Sequence, residues 1–449
     1  MSKAIKVKKG ADINLVGEAK LEVSPSGKST VFALKPDDFF GMVPKLTVKA
    51  GAEVKAGSPL FFDKKRENIL FTSPVSGEVV EVKRGDKRKI LEIKVLADAE
   101  TKYEDFGSWD GGDREQLIEK MLHMGLWPFV KQRPYGIVAN PKDEPKAIFI
   151  SGFDSAPLAA KVDFILKDEK ENFKKGLKAL KTLTTGKLFI GTRKGESFFD
   201  DIEGVERSAF DGPHPAGNVG VQIHHTQPIN KGEVVWTVNP ADVAIIGRSL
   251  SEGRFRAERT VALAGAEVKE PQYYTTMIGA SIESVIKDKL TENKARIISG
   301  NVLTGTKVNP DGYIGFYDTT ISIIPEGDEK KFFISDGWLS PGLSKFSASR
   351  AYPSWLMQNK KYNLDTNLNG EERAFVVTGE MEKVFPFDIY PMQLVKAVMV
   401  NDIEAMEKLG IYEVLPEDFA LCEVVCTSKV NIQAVVEQGL ADLRKEFAS

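Results

Sequence analysis

Four stretches of the chain carry residue types suited to chemistry. Cys422 and Cys426 stand in ALCEVVCTSKV at a C-x3-C spacing, which is also the last spacing of the ferredoxin run C-x2-C-x2-C-x3-C-P. The earlier cysteines of that run would fall at Pro416 and Phe419, and its closing proline at Thr427. An iron–sulfur cluster needs four thiolates and the chain has two cysteines. The pair therefore reads as buried free thiols one helical turn apart. The run FDGPHPAGNVGVQIHH holds three of the four histidines, His214, His224 and His225, beside Asp211. Imidazole with carboxylate suits zinc or iron, but the spacing matches no metal motif. His224 and His225 in a strand would point to opposite faces. A structural loop stiffened by Pro213 and Pro215 is the reading that follows, with no metal ligand assigned.

The third stretch follows the apolar run Ala147–Ser151. A dinucleotide site needs G-x-G-x-x-G there, so that backbone N–H groups can approach a pyrophosphate. The chain has Ser151-Gly152-Phe153-Asp154-Ser155-Ala156-Pro157, with one glycine and a proline. The expectation is a nucleotide-type fold without its fingerprint. The fourth stretch is Asp63-Lys64-Lys65, inside a module of short strands and Gly/Pro turns over residues 50–95. Its G-x2-V-x2-G-x2-L run and the later S-P-V-S-G-x-V resemble the biotinyl/lipoyl carrier family, whose fold is a barrel-sandwich hybrid. Carriers place the modified lysine at a hairpin tip. The connection here is expected to centre on Glu67, which leaves Lys64 and Lys65 off-centre and the module unmodified.

The elements that position these stretches follow from periodicity. Short β-type runs at Leu60–Phe62, Ile69–Thr72, Glu78–Val82 and Ile90–Val95 build the N-terminal unit, and Ile13–Val16 and Val31–Leu34 are expected to complete it. Asp113 with Gln116 three residues on predicts a capped helix bearing Leu117, Ile118, Met121 and Leu122. A strand at Ala147–Ser151, a helix near 169–183 and a strand at Lys187–Gly191 predict a βαβ unit with a parallel pair. Residues 241–252 read as helical. Strands at Thr260–Leu263, Gln272–Met277 and Arg296–Val302, with a helix bearing Ile282, Val285, Ile286 and Leu290, predict a β-grasp-like unit. Residues 340–390 read as polar and irregular. Helices follow at Met392–Val400, Ile403–Leu409 and Asn431–Phe447, the last with Ile432, Val435, Val436, Leu440, Leu443 and Phe447 on one face.

At 449 residues the chain calls for about three or more domains. The boundaries expected are 1–97 for an unmodified barrel-sandwich hybrid, 112–256 for an α/β, Rossmann-like domain, 257–340 for the β-grasp unit and 341–449 for a mainly helical domain. The class is α+β and multidomain. A net charge of −3 and a pI near 6.0 exclude the strong basic excess of a nucleic-acid binder. The basic clusters at Lys6–Lys9 and Arg84–Lys89 read as solvated. No run approaches the length of a membrane span, the start lacks a signal-peptide h-region, and cysteine usage fits a reducing compartment. A soluble intracellular protein is expected.

Taken together, GSPLFFDKKRENILFTSPVSGEVVEVKRGDKR, RPYGIVANP, AIFISGFDSAPLAA, HPAGNVGVQIHH, RTVALAGAEVKEP, IGASIESVIKDKL, RIISGNVLTG, FPFDIYP and ALCEVVC resemble, in this order, the NqrA family of the Na+-translocating NADH:quinone oxidoreductases. The family is similar in layout to RnfC and to the flavin-binding subunit of complex I. The resemblance identifies the β-grasp unit as an SLBB domain and makes the C-x3-C pair a remnant of lost cluster ligands. It implies a peripheral subunit on the cytoplasmic side of a bacterial inner membrane, partnered by membrane-embedded subunits. NADH, flavins, iron–sulfur centres and quinone are then used through the other subunits, and no cofactor is bound by this chain. Ubiquinone is a candidate ligand without an identifiable pocket. Hence no catalytic, cofactor-binding or metal residue is assigned.

Overall fold

The computed structural model describes residues 4–328, 332, 334, 337, 339–357 and 359–447. Among them the N-terminal unit is built from two small antiparallel sheets. One runs in the order Val31–Leu34, Ile90–Ala97, Gly77–Arg84, Glu53–Val54, the other Pro44–Leu46, Pro59–Asp63, Arg66–Thr72. Alternation in the longer strands turns Ile69 and Phe71 inward on one sheet and Val79, Ile93 and Val95 inward on the other, so the two faces share one core.

The α/β unit has a seven-stranded sheet, ordered Ile5–Lys6, Glu206–Asp211, Lys187–Arg193, Ala147–Ser151, Val235–Thr237, Lys131–Arg133, Ile137–Val138. The first five strands are parallel and the last two antiparallel. Four of the five residues of Ala147–Ser151 are buried, as expected of a parallel strand covered on both faces. The helices Lys170–Thr182 and Pro240–Glu252 pack with their backbones in close approach. A Cβ on Gly247 would lie 1.9 Å from the Asn172 carbonyl oxygen, so glycine is required there. The predicted helix after Asp113 is Arg114–His123, with the reciprocal capping box between Asp113 and Gln116 and with Leu117, Ile118, Met121 and Leu122 buried.

The third unit carries a six-stranded mixed sheet, ordered Thr306–Val308, Ala295–Ser299, Thr320–Pro325, Glu258–Ala264, Gln272–Met277, Lys20–Pro25. Helices populate the C-terminal region at Met381–Val384, Pro391–Met399, Ile403–Lys408, Ala420–Val425 and Ile432–Phe447. On the last helix Ile432, Val436, Leu440 and Leu443 are buried and Val435 is half-buried. The side chain of Phe447 lies outside the described residues.

Three expectations are corrected. Val31–Leu34 does complete the small β unit, pairing with Ile90–Ala97, but the segment before it does not. Ile5–Lys6 extends the α/β sheet beside Glu206–Asp211, and Lys20–Pro25 extends the six-stranded sheet beside Gln272–Met277. Between them Ile13–Val16 forms no strand, and Leu15 makes only a bridge to Tyr362. The first 25 residues thus lace two later units together. The helix expected to reach Leu290 ends at Ile286, because Asp288 takes positive φ and Leu290 turns back to bridge Val268. His224 and His225 lie in the helix Val219–Thr226, not in a strand.

The units share their cores. The Phe39 ring of the N-terminal unit lies tilted 4.3 Å from Phe71 and edge-on 4.8 Å from Phe316, which in turn stacks 4.9 Å from Phe129 of the α/β unit. Aromatic rings thus form a seam where three units meet.

Candidate functional site

Beside that seam lies a group of titratable side chains drawn from the same three units. Lys131 comes from the antiparallel edge of the α/β sheet, Asp242 from the helix Pro240–Glu252, and Arg259 from the strand Glu258–Ala264. Asp38 comes from the N-terminal unit, and Tyr317 from the loop before Thr320–Pro325. Arg259 pairs with the Asp242 carboxylate, both groups at most 2% exposed, and donates to the Phe316 carbonyl at 2.6 Å. Burial outweighs that guanidinium and raises Asp242 to a pKa of about 6. Asp38 accepts from the Phe316 N–H at 2.8 Å and faces Lys35 at 3.5 Å, yet burial raises it to about 6 as well. The Lys131 ammonium rests 3.5 Å from the centre of the Tyr317 ring, and burial holds its pKa below the ordinary lysine value. Tyr317 donates to the Pro128 carbonyl at 2.6 Å, and burial pushes its phenol well up.

Lys131 and Tyr317 open onto a cleft of about 250 Å³ whose lining also includes Ser151, Asp154, Asn239 and Glu417. Ser151 ends one parallel strand, and Asn239 joins the end of another to its helix. The cleft therefore sits outside the carboxyl ends of parallel strands, where open α/β sheets take ligands. Lys131 can donate to an acceptor there, and Asp154 and Glu417 can accept. The loop that would carry a dinucleotide fingerprint is instead knitted to its neighbour. Ser151 Oγ lies 2.7 Å from the Gly217 carbonyl and accepts from Gln222 Nε2 at 2.8 Å, while Ser155 Oγ accepts from the Gly217 N–H at 2.8 Å.

The histidines do not converge. His214 is buried, with Nδ1 3.0 Å from Ser155 Oγ. That is nucleophile–base reach, but burial lowers the pKa of the ring to about 4. His224 Nε2 accepts from the Asp388 N–H at 3.1 Å, so its Nδ1 carries the proton and donates to Glu413 at 2.8 Å. His225 donates to the Val221 carbonyl at 2.9 Å. Asp211 pairs with Lys194 at 2.9 Å. Among the described residues no group of three or more His, Cys, Asp or Glu is placed to hold a metal.

Cys422 and Cys426 are free and buried, and burial pushes the Cys422 thiol well up. Lys64 and Lys65 are a correction. They form the two-residue turn between Pro59–Asp63 and Arg66–Thr72, so they stand at the hairpin tip and the centre is not Glu67. Both are exposed, but the base of the turn is docked. Asp63 is fully buried, accepting from the Lys65 N–H at 3.1 Å and from Arg66 at 3.0 Å, and Arg66 donates to the Val138 carbonyl of the α/β unit at 2.7 Å.

Sequence reasoning missed Lys131, Asp38, Asp242, Arg259 and Tyr317. The one local signal was Asn239-Pro240, a strand end running into a helix start.

Three family models match the chain. They are the NqrA N-terminal barrel-sandwich hybrid domain over residues 5–98, the NqrA second alpha/beta domain over 112–255, and the NQRA C-terminal domain, the SLBB model, over 260–309. Relatives that bear the name of the A subunit of Na(+)-translocating NADH-quinone reductase align along almost the whole length. The one from Rhodopirellula baltica is 36% identical over 98% of both chains. Those from Vibrio atlanticus and Hahella chejuensis are 36% and 38% identical over 98% of this chain and 100% of their own. With that identity over nearly the whole length, the chain belongs to the NqrA family of Na+-translocating NADH-quinone reductase subunits.

Proposed function

We propose that the chain works as the peripheral NqrA component of such a reductase, contributing to quinone reduction coupled to Na+ export. The observation that carries this is the 36% identity over 98% of both chains, which leaves no unit of the relative unmatched. Among the described residues no helix is long and apolar enough to cross a membrane, which accords with a peripheral place. In this reading the partners are membrane-embedded subunits met on the cytoplasmic side. NADH oxidation, the flavins, the iron–sulfur centres and the quinone belong to those subunits, and this chain binds no cofactor and supplies no catalytic or metal residue. Its working parts are the unmodified barrel-sandwich hybrid at 1–97, the α/β domain at 112–256, the SLBB domain at 257–340 and the mainly helical domain at 341–449. Purified chain is expected to be colourless and unable to oxidise NADH. Stoichiometric flavin or iron would contradict the cofactor-free reading.

Two observations keep rival readings testable. The cleft beside Lys131 suits a free-standing oxidoreductase, for which steady-state turnover by the isolated chain would decide. Lys64 and Lys65 at the hairpin tip suit a lipoyl or biotinyl carrier, for which an adduct on either lysine by mass spectrometry would decide.

A further inference from the structure

Residues 339–364 differ in character from the rest of the molecule. They contain Lys345, Arg350, Lys360 and Lys361 and no acidic residue. With 64 Asp and Glu in 449 residues, an acid falls about once in seven along the chain, so the stretch is locally basic on a chain of net negative charge. It also exposes large apolar side chains: Leu343 is 58%, Trp355 49% and Leu356 66% exposed. Lone exposed apolar residues need no explanation, but a cluster does.

The cluster is held together from below. Ser347 N–H donates to Ser354 Oγ at 3.0 Å, the Lys360 ammonium holds the Leu343 carbonyl, and the Lys345 ammonium lies 5.1 Å from the Tyr352 ring. These crossings draw Leu343, the 3-10 turn Pro353–Leu356 and Lys360 into one neighbourhood. Its base is anchored where Phe346 meets Tyr362 edge-on at 5.9 Å and where Tyr362 exchanges backbone hydrogen bonds with Asn14 and Val16. Trp355 carries the Arg350 guanidinium 5.5 Å from its ring centre, so an aromatic ring and a cation stand at the same level. Glu18 of the N-terminal segment pairs with Lys361 at 3.2 Å.

We propose that this patch rests on an anionic lipid surface, with Leu343, Trp355 and Leu356 entering the headgroup layer and the cations meeting the phosphates. Charge complementarity selects that occupant. Apolar tips among Lys and Arg, with Trp at the boundary, are the pattern of an interfacial anchor. The core of a protein–protein interface is depleted in lysine, and among the described residues this stretch offers neither a sheet edge nor a helical groove to receive a peptide. The inference concerns the chain alone and does not depend on which complex it joins.

The test is flotation of the full chain with vesicles of equimolar phosphatidylglycerol and phosphatidylethanolamine, against vesicles of phosphatidylcholine. Binding is expected on the anionic vesicles, falling as salt is raised. Each cation near such a surface is worth roughly fivefold in partitioning, so Arg350→Glu is expected to weaken binding at least that much. A Trp355→Ser/Leu356→Ser double variant is expected to weaken it about tenfold or more with an unchanged melting temperature, because both side chains are exposed. Quenching of Trp fluorescence by brominated lipid is expected in the parent chain and is expected to be largely lost in the double variant. Absence of binding to the anionic vesicles, or equal binding to both kinds, overturns the proposal. So does a double variant that floats normally but no longer co-purifies with membrane proteins in detergent, since that outcome assigns the patch to a protein contact.

Discussion

Arg259 and Asp242 face each other across the boundary between the SLBB sheet and the α/β unit, at 2% and 1% exposure. Among the described residues, Asp242 Oδ2 and Arg259 Nε find no hydrogen-bond partner in this buried place. The pair is therefore held without the full set of hydrogen bonds that would offset its desolvation. Its worth lies in fixing how two units meet, and its loss on one side leaves an uncompensated charge.

Removal of one partner is accordingly the sharper perturbation. Arg259→Met is expected to destabilise the chain by about 3–5 kcal/mol, whereas the combined Asp242→Leu/Arg259→Met change is expected to cost markedly less. Urea denaturation of the parent, the single variant and the double variant checks this. A double variant as unstable as the single would contradict it.

The pH dependence has two opposed contributions. Asp38 and Asp242 are raised by burial to about 6. The folded state then holds more protons than the unfolded one between about pH 4 and 6, and these groups lower stability as pH rises through that window. His214 is depressed to about 4 by burial. The unfolded chain binds the extra proton there, so the His214 contribution is full above about pH 6.5 and is lost as pH falls towards 4, on the order of 3 kcal/mol. Asp242→Asn is expected to steepen the loss of stability on acidification, and His214→Gln to flatten it. Melting temperatures measured from pH 4 to 7 report both signs.

The lacing of the N-terminal segment makes a prediction about glycine. Gly17 has φ +96, and a Cβ there would lie 2.2 Å from the Gly265 carbonyl. Gly17→Ala is expected to cost at least about 3 kcal/mol through strain and overlap. Gly195 has φ +85 and open space around it, so Gly195→Ala is expected to cost about 1 kcal/mol. Equal costs in denaturation would show that the close approach of residue 17 to residue 265 is not tight.

Cys422 and Cys426 are buried at 0% and 4% exposure. Neither thiol is expected to react with a water-soluble disulfide reagent in the native chain, and both should react once it is unfolded. Rapid stoichiometric reaction under native conditions would contradict the packing.

What the sequence made legible was local. The Asp113–Gln116 capping box, the apolar stripe from Leu117 to Leu122 and the buried strand Ala147–Ser151 each depend on neighbours within a few residues, so periodicity and capping chemistry found them. The hairpin turn at Lys64–Lys65 was misplaced because it contains neither Gly nor Pro. Its signal was Asp63, whose side chain accepts from the Lys65 N–H at 3.1 Å, a turn made by an Asp side chain. The site at Lys131, Asp38, Asp242, Arg259 and Tyr317 was not legible. Its members stand far apart in the chain and meet only through domain packing, which no local pattern encodes. The same holds for Ile5–Lys6 and Lys20–Pro25, whose partner strands lie about two hundred residues or more onward.

Whether the chain works within a Na+-translocating NADH-quinone reductase is open to direct measurement. The tagged, full-length chain would be affinity-purified from detergent-solubilised membranes of its own cells, and NADH-dependent quinone reduction assayed with and without Na+. Recovery with membrane-embedded partner subunits and Na+-stimulated quinone reduction is the predicted result. A chain recovered alone, from cells whose membranes keep their Na+-dependent activity when its gene is removed, would contradict it.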